Sequence, residues 1–263
     1  WWRCVASPGR GLFYPSGGRA LHCARDLHQL ANSAIMGSSV NADNDAARIG
    51  SFQYLMASVP HSLHRNGRVL ARRDKDGSDA GREGVDLEAR CMSVQDARHQ
   101  ESTARCTRIQ NGFELSARPL SGESIDFLNH KQVVRTYYSQ CAEIVREATG
   151  ARFVAAFDHN IRSAAGKESK RRIQGGQQVQ GPAHLVHGDY TLTSAPQRLR
   201  DLAKVPGTND TFHSLLSEGE SLLDAVEVEH VIAGGRFAII NVWRNITEDP
   251  VQTSPLALCD AAS

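Results

Sequence analysis

Residues 183–190 read AHLVHGDY, and this stretch decides the fold that the sequence predicts. Its apolar residues indicate a buried strand, and residues two apart on a strand point to the same side, so His187 and Asp189 would share one face. Ser194-Ala195-Pro196 then has the chemistry of a helix start, with Ser at the N-cap and Pro near the first turn. The stretch therefore predicts a strand that carries a histidine–carboxylate pair, followed by a helix to about Ala203.

Periodic patterns on both sides of this strand predict the other elements. Apolar residues at steps of three and four predict a long amphipathic helix that Gly150 ends. Helices are predicted at 130–149 and 211–225, and strands at 152–157 and 236–242. Shorter strand-like pieces are predicted at 113–115 and 256–259, and a loop at 164–182. This order favours an α+β, mainly β fold over a parallel α/β sheet, with a double-stranded β-helix (jelly-roll) core and flanking helices.

Two segments do not fit this pattern. Residues 1–35 contain four Arg before the first acidic residue, many Gly and Ser, and no hydrophobic period. A transit peptide has this composition, but upstream sequence wrongly joined to the gene, or a fragment, is the better explanation, since the chain starts with Trp1 and Met36 offers a start. We therefore predict a disordered or mis-joined extension at 1–35 and a single domain at 36–263, within which 61–90 is a flexible loop.

Composition limits the possible partners. The 263 residues carry a net charge of +1, and this balance gives no reason to expect nucleic acid or an anionic membrane as a partner. No apolar run approaches the length of a membrane span. The six cysteines lack any C-x-x-C spacing, which favours reduced thiols in a cytoplasmic protein. We expect a small-molecule substrate as the partner, and the sequence leaves the oligomeric state open.

The triplet His187-Gly188-Asp189 is the strongest candidate for chemistry. Non-haem iron oxygenases hold Fe(II) through two His and one carboxylate, and leave the other face of the metal open. On spacing alone the signal is weak, because a chain with 11 His and 29 acidic residues produces such triplets by chance, and His99/Glu101 is a second one. A structural histidine is one alternative. A zinc hydrolase that also uses His184 is another, although His184 would point away from His187 on a regular strand.

Three blocks of sequence, in order, resemble a known family. The blocks are 149–151 with 157–162 (TGA, FDHNIR), 186–191 with 194–198 (VHGDYT, SAPQR), and 240–246 with 250–261 (INVWRNI, PVQTSPLALCDA). They are similar to the fungal and bacterial hydroxylase/desaturase family that includes the gibberellin desaturase, the aspergillic acid pathway hydroxylase and the cephem methoxylase subunit. The resemblance covers about residues 90–263 and departs from the family at Asn245, where Pro is usual.

The resemblance implies an Fe(II)/2-oxoglutarate-dependent hydroxylase or desaturase that acts on a small organic molecule of the secondary-metabolite type. His187 and Asp189 would be the first two iron ligands. Members of the family continue past the last block, so we expect the second iron His and the basic residue for 2-oxoglutarate beyond Ser263, and a fold that is incomplete at its C-terminus. The alternative is a catalytically incomplete fragment or a non-catalytic small-molecule-binding β-helix protein.

Four further residues in the matched blocks are candidates for binding the cofactor. Asn241 and Trp243 alternate on one face of their predicted strand, and Arg244 would point the opposite way. Arg162, close to His159, could bind a carboxylate with two hydrogen bonds. For each of them, a buried hydrogen bond or a packing role is the alternative.

Overall fold

A computed structural model describes residues 2–7, 48–58, 70–73, 79–83, 86–98, 106–122, 124–176, 178–208 and 210–262. The strands are β1 (Trp2–Ser7), β2 (Arg48–Leu55), β3 (Leu70–Arg73), β4 (Asp79–Glu83), β5 (Leu87–Val94), β6 (Phe153–His159) and β7 (Ala238–Val242). The helices are α1 (His130–Gln132), a π-helical turn (Val133–Tyr137), α2 (Tyr138–Thr149), α3 (Ala164–Glu168), α4 (Ser194–Leu202), a 3-10 turn (His213–Leu215) and α5 (Ala225–Gly234). The fold is therefore mixed helix and sheet.

Strand β1 is the middle strand of a three-stranded sheet in the order β6-β1-β7. It pairs antiparallel with both neighbours, and its register with β6 shifts between Arg3 and Cys4. Cys4, Val5 and Ala6 are all buried, as a central strand requires. The sequence analysis placed residues 1–35 outside the fold, whereas residues 2–7 lie at the centre of this sheet. Residues 8–35 lie outside the described part of the chain.

The predicted helix at 130–149 is confirmed. The Asn129 side chain accepts a hydrogen bond from the Gln132 N–H and so caps its start, and Gly150 ends it in the left-handed conformation at φ 68°. The π-helical turn in its first half allows two successive tyrosines, Tyr137 and Tyr138, to be buried. Helix α2 packs on β6 and β1.

The core contains residues of this helix, the main sheet, α4 and α5. The largest fully buried side chains are Tyr137, Phe157, Phe212, Leu202, Val133, Val134, Cys4 and Cys141. Burial, supported by the charge of Cys141, raises the pKa of the Cys4 thiol. Burial also raises the pKa of Cys141, to about 12. Both thiols are thus neutral core residues on facing elements.

Two smaller sheets accompany the main one. β2 pairs antiparallel with β5, and β3 pairs antiparallel with β4. The predicted flexible loop at 61–90 therefore contains the β3–β4 pair and the first residues of β5. Every helix in the described ranges falls short of what a membrane span needs in length or apolar character.

Several predicted elements differ from the structure. The segment 183–190 is not a regular strand, since its only pairing with the described part of the chain is an isolated parallel bridge between Leu185 and Gln53. The predicted helix at 211–225 is replaced by the 3-10 turn and by α5, which begins where the prediction ended. The pieces at 113–115 and 256–259 have no strand structure, and the predicted loop at 164–182 contains α3. Local sequence patterns do not predict which extended segments pair with another strand, because strand pairing depends on the tertiary context.

Helix α4 starts near the predicted position, but through a different cap. Ser194 is its first residue rather than its cap, and the Thr191 Oγ1 accepts from the Ser194 N–H at 3.1 Å. The Ser194 Oγ in turn accepts from the Thr191 N–H at 2.8 Å. This reciprocal pair is a variant of the capping box, in which two side chains each satisfy the other's backbone donor.

Placing β1 inside the sheet predicts a strong asymmetry between two substitutions on this strand. Val5→Asp should lower the free energy of unfolding by at least about 3 kcal/mol, because it places a carboxylate where the side chain is buried. Ser7→Asp, at the half-exposed end of the same strand, should change it by less than about 1 kcal/mol. Urea denaturation of the two variants measures both values, and equal stabilities would place β1 outside the core.

Candidate functional site

His187 is oriented by the segment in which it lies. The Val186 N–H donates to the Gln53 carbonyl in β2 at 2.9 Å, which anchors the segment. The His187 Nδ1 lies 2.7 Å from the Leu185 carbonyl oxygen. Because a carbonyl oxygen only accepts, Nδ1 carries the proton, and Nε2 of the neutral ring presents a lone pair. Metal-binding imidazoles are commonly oriented in this way, by a hydrogen bond from the other ring nitrogen.

Asp189 is held by side chains from two strands of the main sheet. The Asn241 Nδ2 on β7 donates to Asp189 Oδ2 at 2.7 Å. The Arg3 guanidinium on β1 lies 3.5 Å from Asp189 Oδ1, and the Asp189 side chain is only 14% exposed. Asn241 thus occupies one carboxylate oxygen, and the other oxygen faces Arg3 and His187.

The His187 and Asp189 side chains face each other, with 3.6 Å between Nε2 and Oδ1. With the imidazole neutral, both atoms are electron-pair donors with no proton between them, an arrangement that a shared cation stabilises. Two ligands about 2.1 Å from a metal and at right angles to each other lie about 3 Å apart, so a small closing movement brings this pair into range. Imidazole nitrogen and carboxylate oxygen are ligands that Fe(II) accepts. The two residues fit two positions of a divalent metal.

Arg3 also joins Asp189 to a second carboxylate. Its register places it beside Asp158 of β6 on one side and Asn241 of β7 on the other. The Arg3 Nη1 donates to Asp158 Oδ2 at 2.6 Å, and its guanidinium carbon lies 5.9 Å from the centroid of the Tyr190 ring. Burial raises the pKa of the Tyr190 phenol, although the charge of Arg3 opposes the shift.

The described residues bring two candidate metal ligands, His187 and Asp189, together at this site. No group of three His, Cys, Asp or Glu side chains among the described residues is arranged to hold a metal. The alternative set of His184, His187 and Asp189 is therefore not assembled.

A family model described as an oxidoreductase/YMDC permease-like domain matches residues 63–263. The chain belongs to this oxidoreductase family. The match contains the His187–Asp189 pair and Asn241, whereas Arg3 precedes it.

Relatives of the chain include proteins named as a dioxygenase and as a hydroxylase/desaturase. An uncharacterized protein in the dcmA 3′ region of Methylophilus leisingeri is 43% identical over 194 residues, which are 73% of this chain and 88% of that protein. The alpha-ketoglutarate-dependent dioxygenase tstK of Talaromyces stipitatus is 25% identical over 218 residues, 78% of this chain and 68% of the relative. The hydroxylase/desaturase efuI of Hormonema carpetanum is 23% identical over 160 residues, 59% of this chain and 45% of the relative.

These names confirm the resemblance to hydroxylase/desaturase proteins that the sequence blocks indicated. The chain spans less than half the length of the Hormonema relative and most of the Methylophilus one. No solved structure matches the chain.

The other predicted site residues of this oxidoreductase family member are placed apart from the pair. Arg162 donates to the Gly181 carbonyl at 2.8 Å. Arg244 donates to the Tyr137 hydroxyl at 2.7 Å and to the Arg118 carbonyl, so its contacts are with the helix side of the sheet. Trp243 is 45% exposed and follows the last residue of β7. Of the four cofactor candidates, the structure brings Asn241 to the pair.

Sequence reasoning did not identify Arg3 and Asp158 as site residues. Asp158 stands in the matched block 157–162, directly after the predicted strand at 152–157, and this position could have suggested it. Arg3 carries no comparable signal, because it lies in a segment with no hydrophobic period and reaches the site through long-range pairing.

A cavity of about 370 Å³ is lined by residues that follow α4 in the chain. Its lining includes Val205, Pro206, His213, Leu216 and Glu218. His213 is thus part of a different feature from the His187–Asp189 pair.

Two imidazoles meet near the end of β6, where His159 is buried and His130 of α1 is half-buried. The rings of His159 and His130 are stacked, with centroids 5.4 Å apart. Tyr138 donates to the Thr211 Oγ1 at 3.0 Å, so its oxygen accepts from His159 Nδ1 at 2.9 Å. Burial, aided by the charge of His130, lowers the pKa of His159 to about 3. Burial also lowers the pKa of His130. His159 is a neutral structural residue at physiological pH.

The depressed pKa of His159 makes stability depend on pH. In the unfolded chain this imidazole takes up a proton below its ordinary value of 6.5, whereas in the folded chain it resists protonation down to about 3. Its contribution is therefore present above pH 6.5 and is lost as the pH falls through that window. We expect the loss of unfolding free energy between pH 7.5 and 5 to be roughly 2 kcal/mol smaller in His159→Asn than in the wild type.

Asparagine is the chosen replacement because its amide can still donate to Tyr138 while it does not titrate. The exposed His184, changed to Asn, serves as the control and should keep the wild-type dependence on pH. Denaturant unfolding at several pH values gives the measurement. Parallel curves for wild type and His159→Asn would show that this imidazole is not buried as described.

Proposed function

We propose that the chain is an Fe(II)/2-oxoglutarate-dependent hydroxylase or desaturase of small organic molecules, with His187 and Asp189 as two of its iron ligands. The observation that carries this proposal is the 3.6 Å approach of the His187 Nε2 to a carboxylate oxygen of Asp189. Membership of an oxidoreductase family and a relative named as an alpha-ketoglutarate-dependent dioxygenase support it.

The chain's own residues would prepare the site. The Leu185 carbonyl holds the His187 ring so that Nε2 is the ligand atom, and Asn241 holds Asp189 Oδ2 so that Oδ1 is the ligand atom. When bound, ferrous iron with 2-oxoglutarate and O2 supplies the oxidant, and the balanced hydroxylation converts R–H, O2 and 2-oxoglutarate to R–OH, succinate and CO2. The protein positions the substrate C–H bond and excludes water.

The finer features of the proposal follow the same resemblance. We propose a double-stranded β-helix as the architecture and a secondary metabolite or similar small organic molecule as the substrate. We also place the protein in the cytoplasm, because Cys4, Cys91 and Cys141 are free thiols, as a reducing compartment allows.

The test is turnover of 2-oxoglutarate by a full-length version of the protein after reconstitution with Fe(II) under anaerobic conditions. We expect succinate release on exposure to O2, and a visible charge-transfer absorption of the Fe(II)/2-oxoglutarate complex before exposure. His187→Ala and Asp189→Ala should each reduce both signals at least about 100-fold, because each removes a ligand rather than a residue that supports one.

His184→Ala is the matched control, since it removes an exposed imidazole three positions from His187. It should retain both signals. Succinate release that persists in His187→Ala and Asp189→Ala would refute the proposal. Binding of 2-oxoglutarate without any succinate release would instead favour the non-catalytic small-molecule-binding alternative.

A further inference from the structure

We propose that Arg3 is a built-in counter-cation of Asp189, which occupies the cation side of the carboxylate until a divalent metal displaces it. The proposal rests on the proposed function, because it assigns His187 and Asp189 to a metal. It adds a positioning residue outside the region that the family model matches. The role would make metal affinity depend on the N-terminal strand.

The two oxygens of the Asp189 carboxylate differ in their availability to a cation. Asn241 donates to Oδ2, so a cation must approach Oδ1. Among the described residues, the Arg3 Nη2 lies 3.5 Å from Oδ1 and the His187 Nε2 lies 3.6 Å from it. A metal bound between Nε2 and Oδ1 would therefore share its carboxylate oxygen with a full positive charge. Two cations at one oxygen repel each other, so Arg3 and the metal compete.

Arg3 would keep a second carboxylate partner, Asp158, after a metal displaced it from Asp189. Its contact with Asp158 is a hydrogen bond of 2.6 Å, much shorter than its 3.5 Å approach to Asp189. The Tyr190 ring, 5.9 Å from the guanidinium carbon, provides further support. Displacement from Asp189 thus leaves Arg3 paired and does not strand a buried charge. The Arg3 and Asp158 side chains are only 19% and 18% exposed. Solvent therefore screens the repulsion between Arg3 and a metal only in part.

The sheet makes the competition intrinsic to the fold. Arg3 lies between Asp158 and Asn241 in the register of the three strands, so its side chain is on the same face of the sheet as theirs. The same strand position therefore sets both the packing of β1 and the charge at the candidate metal site.

Mn(II) is the probe, because it accepts the same ligands as Fe(II) and does not oxidise under the assay conditions. Its binding to the full chain is measured by water-proton relaxation, which detects weak sites. Arg3→Gln removes the competing charge and should tighten Mn(II) binding about five- to tenfold. Arg3→Lys keeps the charge and should stay within about twofold of the wild type. Arg98→Gln, which removes an exposed arginine paired with Asp96, is the matched control and should leave the affinity unchanged.

A purely structural role for Arg3 predicts the opposite sign, because a loosened β1 would weaken the site. Unchanged or weaker Mn(II) binding by folded Arg3→Gln overturns the proposal. Asp158→Asn keeps the test available if Arg3→Gln does not fold. It removes the alternative partner and should weaken Mn(II) binding, so unchanged or tighter binding overturns the proposal. Asp158→Asn should weaken Mn(II) binding less in the Arg3→Gln background than in the wild type, because Asp158 acts on the site through Arg3.

The same titrations separate this proposal from the proposed function. Mn(II) binding that is equal in wild type, His187→Ala and Asp189→Ala refutes the metal site itself, and the absence of binding in both wild type and Arg3→Gln overturns both ideas. Binding that depends on His187 and Asp189 but ignores Arg3 overturns only the counter-cation role. Binding that appears in Arg3→Gln and is undetectable in the wild type supports it.

Discussion

The guanidinium of Arg3 between the carboxylates of Asp158 and Asp189 is the interaction on which the arrangement of the sheet and the site together depends. Arg3 is the charged residue of β1, and the next three residues of this strand are buried. A cation in the interior strand of a sheet is stabilised when neighbouring elements supply opposite charge, and here β6 and the 185–189 segment each supply a carboxylate. The sheet order β6-β1-β7 and the position of Asp189 are thus coupled.

The candidate site is assembled from segments that are far apart in the chain. β2 anchors the backbone at Leu185 and Val186, the adjacent residues present His187 and Asp189, and β7 contributes Asn241. None of these pieces forms the site alone, since β2 anchors the segment that carries the pair and Asn241 of β7 holds Asp189. Such mutual dependence is expected where a metal ligand needs a supporting partner that fixes its direction.

The two histidine sites illustrate how environment separates residues of one chemical type. His159 is enclosed with Tyr138 and His130, so desolvation lowers its pKa to about 3 and its ring is a structural component. His187 has a side chain that is 39% exposed, and its Nε2 lies 3.6 Å from the Asp189 carboxylate. A buried imidazole with satisfied hydrogen bonds serves packing, whereas a partly exposed one beside a carboxylate is accessible to a ligand.

The sequence by itself determined the elements whose cause is local. The helix at 130–149, its end at Gly150, the strands near 153 and 238, and the start of α4 follow from periodicity and cap chemistry, and they appear close to their predicted bounds. The two-residue spacing of His187 and Asp189 likewise placed both side chains on one side of an extended segment, even though that segment is not a regular strand. The family resemblance added Asn241, which the structure brings to Asp189.

Only the tertiary structure decided which distant residues meet. Strand β1 carries no hydrophobic period by which sequence could recognise it, and its place in the sheet is set by long-range pairing with β6 and β7. The same pairing brought Arg3 to Asp189 and directed Arg244 to Tyr137, away from the site. Strand pairing and charge neutralisation act between residues more than a hundred positions apart, and no local pattern encodes the identity of such partners.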